Sequence, residues 1–374
     1  MKKSRYIAVA VATAVAASTL TLVGCGGGGG GYGGGGGGGG SSSSSSVPGS
    51  TFSARVLTSD QAGVASHVDA NLRDSWGLAI TGTGFVMVAD RGAGKTTFYD
   101  DVGTVLSTGF PIPDGSAGPS RPAGIVYNSS VAVFNVTSGG VTSTAPFIFA
   151  TGAGTLHVQA ATINQNAAVQ VYDGGSSGTV YKGLALLLGS VNRLYAADFH
   201  NRRIDVFDSN YNKISVSGSF TDPTVPADYA PFNIQAVGNQ LYVTYAKKDP
   251  ASDNEITGAG FGYIAIFDAN GVLVKHLISG GALNAPWGIA VAPGNFGVVS
   301  NALLVGNSGD GKINAYDTTS GALLGTLNKA DGSAIVVDGL HGLAFNTFGS
   351  SPILFYAAGP ANGAHGAYGR IDMN

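Results

Sequence analysis

The sequence predicts an all-β fold, a six-bladed β-propeller, because two short markers recur along it in fixed phase. The first marker is an aromatic or β-branched residue followed by aspartate, and it occurs at Tyr99-Asp100, Tyr172-Asp173, Phe207-Asp208, Phe267-Asp268, Tyr316-Asp317 and Ile371-Asp372. The second marker, in most copies a glycine before an apolar run, occurs at Trp76-Gly77-Leu78, Ala123-Gly124-Ile125, Lys182-Gly183-Leu184, Phe232-Asn233-Ile234, Trp287-Gly288-Ile289 and His341-Gly342-Leu343. Copies lie roughly fifty residues apart, which is the length of one four-stranded blade.

Each blade is predicted to contain four strands, in the order inner, second, third and outer. In the third blade these strands are expected at residues 184–188, 193–197, 203–207 and 213–220. The aspartate of the first marker follows the third strand, and aspartate accepts hydrogen bonds from backbone N–H groups two residues further on. We therefore expect these aspartates to be turn residues of the blades.

The sixth blade has no outer strand of its own, because the chain ends three residues after Ile371. Residues 52–58 alternate as a strand at the other end of the domain, before the first inner strand. We expect this segment to pair with residues 369–373 and close the ring. Closure of this kind removes the exposed edges that an open propeller would have.

The N-terminus is predicted to direct export and lipidation. Residues 1–24 combine a basic start with an apolar run that is short for a membrane span, as in a lipoprotein signal peptide. Leu22-Val23-Gly24-Cys25 resembles the bacterial lipobox, which implies that Cys25 carries a diacylglycerol; the alternative is an ordinary signal peptide that contains a cysteine. Residues 25–50 are then the lipidated cysteine and a flexible Gly/Ser linker, and residues 51–374 are the propeller.

This reading places the protein in the cell envelope, tethered to a membrane through Cys25. Gly26, and not aspartate, follows the cysteine, which favours the outer membrane or the cell surface. Charged residues make up only 11% of the chain and the formal net charge is −3, with no basic cluster. A nucleic-acid partner is therefore not expected. The single cysteine excludes disulfides within the chain.

Three segments resemble NHL-type repeats, in which the second strand ends in Ala-Asp and a polar loop follows. They are Val88-Ala89-Asp90-Arg91-Gly92, Ala196-Ala197-Asp198-Phe199-His200 and Val305-Gly306-Asn307-Ser308-Gly309. The stretch from Tyr181 to Asp249, with Lys182-Gly183-Leu184-Ala185 and Ala230-Pro231-Phe232-Asn233-Ile234-Gln235, is similar to an uncharacterised family of exported bacterial proteins. This resemblance implies an NHL-like six-bladed propeller and an exported location, and it implies no established activity.

Propeller ligands bind at the mouth of the central channel, so two rings of residues are candidates. The first ring, at the starts of the inner strands, is Trp76, Ala123, Lys182, Phe232, Trp287 and His341. We expect Trp76, Lys182, Phe232, Trp287 and His341 to form a ligand site, with the tryptophans as a platform for a sugar or another flat ligand. The alternative is that these aromatic residues only pack between blades.

The second ring, at the ends of the second strands, is Asp90, Thr151, Asp198, Tyr245, Asn307 and Gly359. Asp90, Asp198 and Asn307 fall in alternate blades, and their oxygens could hold Ca²⁺ in the channel. The arrangement resembles metal-dependent lactonases, which implies that His341 or His200 handles protons. The alternative is that each of these side chains caps its own loop, and the first-blade glutamate of the lactonase pattern is absent.

The longest loop inside a blade, residues 247–260, carries Asp249, Asp253, Asn254 and Glu255 and is expected to be a solvated acidic loop. No catalytic set is complete in the sequence. The function predicted is therefore a membrane-tethered binding module for a protein, a glycan or a small molecule. Two alternatives stay open: a metal-dependent hydrolase of the lactonase or esterase kind at the central channel, and a structural envelope protein.

Overall fold

A computed structural model describes residues 49–107, 109–346, 349 and 351–374, which cover the predicted propeller. The predicted signal peptide and Cys25 lie outside the described residues. In chain order the strands are β1 (Phe52–Ser59), β2 (His67–Val68), β3 (Ser75–Ile80), β4 (Val86–Asp90), β5 (Lys95–Tyr99), β6 (Val105–Ser107), β7 (Pro122–Tyr127), β8 (Val136–Ser138), β9 (Val141–Ser143), β10 (Phe147–Thr151), β11 (Thr155–Val158), β12 (Val169–Asp173), β13 (Tyr181–Leu187), β14 (Arg193–Asp198), β15 (Arg203–Phe207), β16 (Lys213–Ile214), β17 (Tyr229–Val237), β18 (Gln240–Lys248), β19 (Glu255–Ile256), β20 (Tyr263–Phe267), β21 (Leu273–Ser279), β22 (Pro286–Val291), β23 (Leu303–Asn307), β24 (Ile313–Tyr316), β25 (Leu323–Thr326), β26 (Leu340–Phe345), β27 (Leu354–Ala358) and β28 (Ala367–Met373).

The helical segments of the described chain are short: the single turn α1 (Pro360–Gly363) and two 3₁₀ turns at Gly175–Ser177 and Gly297–Val299. Within the part of the chain that the structure describes, no helix has the length and apolar character that crossing a bilayer requires.

Six of the sheets are blades built on four antiparallel strands, and this confirms the predicted six-bladed propeller; β8 and β9 form a separate two-stranded sheet, and β2 pairs parallel with β1. From the inner strand outward, the blades are β3-β4-β5-β6, β7-β10-β11-β12, β13-β14-β15-β16, β17-β18-β20-β21, β22-β23-β24-β25 and β26-β27-β28-β1. The inner strands contact each other in a closed ring, β3 to β7, β13, β17, β22, β26 and back to β3. Apolar side chains fill the space between neighbouring blades, as Tyr242 and Ile264 of the fourth blade do against Ile289 and Leu303 of the fifth.

The ring closes as the sequence predicts. Strand β1 pairs antiparallel with β28, with Phe52 opposite Met373 and Val56 opposite Gly369. The first strand of the domain is thus the outer strand of the last blade. Because the two ends of the domain share one sheet, the ring cannot open without breaking this pairing.

Neighbouring inner strands approach so closely at the channel that the second marker needs glycine. A Cβ atom on Gly288 would lie 2.4 Å from the carbonyl oxygen of His341, and one on Gly77 would lie 2.4 Å from the carbonyl oxygen of Ala123. Both distances are far below van der Waals contact. In the fourth blade Asn233 takes the glycine's position, and its Nδ2 donates to the carbonyl oxygen of Trp287 at 2.8 Å.

The predicted turn role is seen at several of the first-marker aspartates but not at Asp372, which lies inside β28 and pairs with Arg370. Asp208 Oδ1 accepts from the backbone N–H groups of Asn210 and Asn212, each at 2.9 Å. Asp268 repeats this pattern with the N–H groups of Asn270 and Val272.

Two details of the predicted blades are wrong. Tyr172-Asp173 was expected to end a third strand, but it ends β12, the outer strand of the second blade. The third strand of that blade is β11, and ten residues of connecting chain separate it from β12. In the third blade the outer strand stops at Ile214 and does not reach residue 220. The chain there turns to the fourth blade, where the N–H of Gly218 donates to the carbonyl oxygen of Asn270 at 2.7 Å.

Candidate functional site

The first-ring residues converge at the channel axis and form one aromatic cluster. Trp76 stacks on His341 with ring centroids 4.0 Å apart, and it meets Phe232 and Trp287 edge-on, each at 6.1 Å. All four side chains are buried, with 0–7% of each residue exposed. Because these residues come from four different inner strands, their meeting shows that the second marker occupies equivalent positions in those blades. We call this cluster, together with Lys182, the channel plug.

Lys182 places an ammonium group among the rings of the plug. Its Nζ lies 4.4 Å from the ring centroid of Phe199, 5.1 Å from that of Phe232 and 5.4 Å from that of Trp76. Cations are attracted to aromatic faces, most strongly where water is absent. Nζ also donates to Glu255 Oε2 at 2.8 Å, and the Lys182 side chain is only 5% exposed.

Burial and the neighbouring charge have opposite effects on the pKa values of Lys182 and Glu255. Burial lowers the pKa of Lys182, and the neighbouring carboxylate of Glu255 offsets part of that change. Burial raises the pKa of Glu255, but the ammonium of Lys182 outweighs it, and the net shift of that pKa is downward. The carboxylate of Glu255 is therefore the group that keeps a buried lysine charged.

His341 lies in the plug as a neutral ring. Burial lowers the pKa of His341 to about 4, against opposing effects of Asp74 and Glu255. Its Nδ1 has no hydrogen-bond partner among the described residues. A neutral imidazole stacked on Trp76 is suited to packing, and at neutral pH it carries no charge for a ligand.

The channel below the plug is nearly filled. The cavity there, lined by residues such as Gly77, Gly124 and Gly342, has a volume of about 20 Å³. This is room for about one water molecule. A ligand therefore cannot enter the channel, and the space for binding lies above the plug.

Two adjoining cavities of about 560 and 470 Å³ open at this mouth, and Arg91 and Arg121 line both of them. We call the two cavities together the mouth cleft. Trp76 and Lys182 of the plug line its second cavity, and the other walls come from loops of the first four blades. Each volume is within the range of small-molecule sites.

The two arginines of the mouth cleft differ in their partners. Arg91 Nη1 donates to Asp74 Oδ2 at 2.9 Å, and its guanidinium carbon lies 5.1 Å from the ring centroid of Trp76. The other carboxylate oxygen of Asp74 accepts from Trp76 Nε1 at 3.0 Å. Arg121 is exposed and makes no ion pair within the described ranges, and its backbone φ is +48°. A non-glycine residue with positive φ is uncommon.

Two buried hydroxyl groups that line the mouth cleft have no hydrogen-bond partner among the described residues. They are Ser120 Oγ, on a residue 1% exposed, and Thr179 Oγ1, on a residue 2% exposed. An unpaired buried polar atom costs free energy. A ligand that accepts hydrogen bonds would remove that cost.

The acidic loop of residues 247–260 is not solvated throughout, contrary to expectation. Glu255 pairs with Lys182, and Asp253 Oδ1 contacts His200 Nδ1 at 2.9 Å and Lys248 Nζ at 3.1 Å. Ser252, Asp253 and Asn254 of this loop line the mouth cleft. The sequence contained one indication that Glu255 has a special role, because it is the only glutamate in the chain.

In the structure Asp90, Asp198 and Asn307 each bind protein groups near them. Asp90 accepts from the hydroxyls of Ser75 at 2.9 Å and Thr97 at 2.7 Å, and burial raises its pKa well above the usual value. Asp198 accepts from the backbone and side chain of Asn201, at 3.2 and 2.8 Å. Each of these acids is thus used inside its own blade.

The side-chain amide of Asn307 is likewise paired with nearby protein groups. Its Oδ1 accepts from the backbone N–H of Asn284 at 3.1 Å, and its Nδ2 donates to the carbonyl oxygen of Ala282 at 2.9 Å. Within the described ranges, no group of three or more His, Cys, Asp or Glu side chains is arranged to hold a metal ion. The loop-capping alternative fits Asp198 and Asn307, whose side chains contact Asn201 and Asp310 of the loops that follow them. It does not fit Asp90, which binds hydroxyls of β3 and β5. His200 pairs with Asp253.

No protein-family model matches the chain. One uncharacterised protein of Acanthamoeba polyphaga mimivirus is 37% identical to it over 315 residues, which are 82% of this chain and 77% of that protein. A second uncharacterised protein of the same virus is 34% identical over 316 residues, 83% of each chain. The prediction of a family of exported bacterial proteins is wrong, because the relatives found are viral proteins.

Solved structures resemble the chain at low sequence identity. A Bacteroides thetaiotaomicron protein of unknown function is 14% identical with a TM-score of 0.51, over 87% of this chain and 76% of that one. A virginiamycin B lyase from Staphylococcus aureus is 15% identical with a TM-score of 0.49, over 86% and 99% of the two chains. At this identity the likeness concerns the fold and not the activity.

Proposed function

This chain belongs to the family of the two uncharacterised mimivirus proteins, and we propose that it is a binding protein that takes a small anionic ligand in its mouth cleft. The ligand carries a carboxylate or phosphate group that lies between Arg91 and Arg121. One observation carries this proposal: two cavities of ligand size share two arginines, with unpaired hydroxyl groups in their walls.

Arginine favours the binding of carboxylates and phosphates because its planar guanidinium donates two parallel hydrogen bonds to them. Arg91 uses one nitrogen on Asp74, which fixes the plane of its guanidinium group and leaves other N–H groups free to bind a ligand. Arg121 provides a second guanidinium without a competing carboxylate in the described chain. An anion between them gains two charge-assisted contacts.

The proposal is for a small polar ligand and not for a flat one that stacks on the tryptophans. Trp76 is 4% exposed, and its ring is covered by His341 and by the guanidinium of Arg91. Phe232, Trp287 and His341 do not line the mouth cleft, so Trp76, Ala123 and Lys182 are the members of the first ring that a ligand can reach. The hydroxyls of Ser120 and Thr179 are additional neutral donors in the cavity walls.

Replacing Arg121 with alanine is expected to weaken anion binding by about ten- to a hundredfold. Loss of hydrogen bonds to a charged group costs roughly 1.5–3 kcal/mol, and each 1.4 kcal/mol is a factor of about ten. Isothermal titration calorimetry of the full-length protein, with inorganic phosphate and with a series of dicarboxylates as probes, measures this change and shows which anion the cleft prefers.

Arg202→Ala is the matched control for this experiment. Arg202 is also an exposed arginine with positive φ, +56°, and it makes no ion pair within the described ranges, but it lines neither cavity. Its variant should bind like the wild type. No saturable binding of any probe, or equal losses in the two variants, would contradict the proposal.

We further propose, from the sequence alone, that the protein is exported and tethered to a membrane through Cys25, with a flexible linker before the propeller. In a bacterial host that processes lipoproteins, the full-length chain should incorporate an alkyne-labelled fatty acid and sediment with membranes, and Cys25→Ser should lose both properties. Ser41→Ala, in the same linker, should retain them. Equal labelling of the Cys25→Ser variant would disprove the tether.

A further inference from the structure

A second cluster of reactive side chains lies on the outer part of the fourth blade. Ser279 Oγ is 2.6 Å from His276 Nε2, and His276 Nδ1 is 2.6 Å from Asp222 Oδ2. None of these three residues lines the mouth cleft. The order of contacts is hydroxyl, imidazole and carboxylate, which is the arrangement that activates a serine as a nucleophile.

The carboxylate of this cluster is held in place and ionised. The Asp222 side chain is fully buried, and its Oδ1 accepts from the backbone N–H of Thr224 at 2.9 Å and from its hydroxyl at 2.6 Å. Burial raises the pKa of Asp222, but the hydrogen bonds from Thr224 and His276 outweigh it and lower that pKa overall. A fixed carboxylate of this kind orients the histidine ring.

The hydrogen bonds also decide which nitrogen of His276 carries the proton. Asp222 can only accept, so the proton is on Nδ1, which also lies 2.8 Å from Thr224 Oγ1. Nε2 then has a free lone pair and accepts the hydroxyl proton of Ser279. This is the tautomer that a general base needs. The His276 side chain is 25% exposed and Ser279 is exposed, so a substrate can reach both.

A β-bulge brings the serine and the histidine to one face. Strand β21 pairs with β20 so that Ile278 is opposite Ile264 and His276 is opposite Ala265, which leaves Leu277 as an extra residue. Residues three apart in a regular strand point to opposite faces of the sheet. The extra residue at the bulge shifts this alternation by one, so that His276 and Ser279 point to the same face. Bulges often direct a side chain in this way next to active sites.

We propose that Ser279, His276 and Asp222 form an acyl-transfer site that hydrolyses small, accessible esters. Ser279 Oγ attacks the ester carbonyl carbon while its proton passes to His276 Nε2. The C–O bond to the alcohol then breaks, and the leaving alkoxide takes that proton. Water attacks the acyl-serine with His276 again as base, which releases the acid and restores the serine.

Labelling by a fluorophosphonate tests the nucleophile directly. In that reaction the Ser279 Oγ–P bond forms, the P–F bond breaks, fluoride leaves and the hydroxyl proton passes to His276. Peptide mass spectrometry of the full-length protein should locate one label, at Ser279, and none in Ser279→Ala. The labelling rate should fall by a factor on the order of a hundred in His276→Gln.

Ser66 is the internal control, because its Oγ lies 3.4 Å from His67 Nδ1 and the same nitrogen lies 3.2 Å from the carbonyl oxygen of Leu57, with no carboxylate behind the ring. It should stay unlabelled. No label at Ser279, labelling of Ser66 at a similar rate, or an unchanged rate in His276→Gln would overturn the proposal.

Turnover of p-nitrophenyl acetate tests the positioning role of Asp222. In Asp222→Asn we expect kcat to fall about a thousandfold with KM nearly unchanged, because the amide no longer selects the reactive tautomer. A network that is only structural would change the melting temperature and leave kcat alone. That result, or unchanged turnover in Ser279→Ala, would overturn the proposal. The Arg202→Ala variant, which changes an exposed arginine outside both sites, should hydrolyse the ester normally.

Discussion

Replacing Gly288 with valine is expected to destabilise the propeller by more than about 3 kcal/mol. A Cβ atom there would lie 2.4 Å from the carbonyl oxygen of His341 and 2.9 Å from the Leu343 side chain, so two inner strands would have to separate. Overpacking a filled core typically costs about 1–3 kcal/mol, and a displaced backbone costs more. Guanidinium denaturation followed by circular dichroism measures the loss.

Gly82→Val is the control for this substitution. A Cβ atom on Gly82 would meet no atom within 4 Å, and its backbone φ is not positive. Its stability should therefore stay within about 0.5 kcal/mol of the wild type. Equal stability of the Gly288 and Gly82 variants would mean that the inner strands do not approach as closely as the structure shows.

Glu255→Gln is expected to cost about 3–5 kcal/mol, because it leaves the ammonium of Lys182 buried without a countercharge. The Lys182 side chain is 5% exposed and that of Glu255 is 20% exposed, so solvent screens the pair weakly. The double variant Lys182→Met with Glu255→Gln should recover most of the loss, since an apolar side chain fits among the rings of the plug. A double-mutant cycle from chemical denaturation gives the coupling energy.

Asp228→Asn is the control for the buried pair. Asp228 contacts Lys247 in the same blade at 3.3 Å, but its side chain is 51% exposed. Surface ion pairs contribute up to about 1 kcal/mol, so this variant should be close to the wild type. If Glu255→Gln were equally mild, Glu255 would not be the residue that keeps Lys182 charged.

The sequence was sufficient to predict the ring and its closure because both follow from periodicity. The second marker fixes where each inner strand begins, so the meeting of Trp76, Trp287 and His341 at one axis could be predicted. The same alignment could not decide which way Asp90 and Asp198 point. Their carboxylates bind hydroxyl and amide groups of their own blades, and such local partners leave no periodic signal.

The other features depend on local backbone geometry that residue types do not reveal. The residue types did not reveal that Arg121 has a positive φ or that it lines both cavities of the mouth cleft. The bulge at Leu277 reverses the alternation that would separate His276 from Ser279. Asp222 joins them from a loop more than fifty residues earlier in the chain. In contrast, the sequence itself shows that Glu255 is the only glutamate and that Lys182 belongs to the first ring. A lysine at that position was a reason to look for an acidic partner.

Tryptophan fluorescence during an anion titration tests most directly that the ligand binds at the mouth of the channel. The chain has two tryptophans, and of these only Trp76 lines the mouth cleft, under the guanidinium of Arg91. Titration of the full-length protein with the anion that calorimetry selects should give a saturable change in the wild type and in Trp287→Phe, and none in Trp76→Phe. A change that persists in Trp76→Phe and disappears in Trp287→Phe, or no saturable change in the wild type, would contradict binding at the mouth cleft.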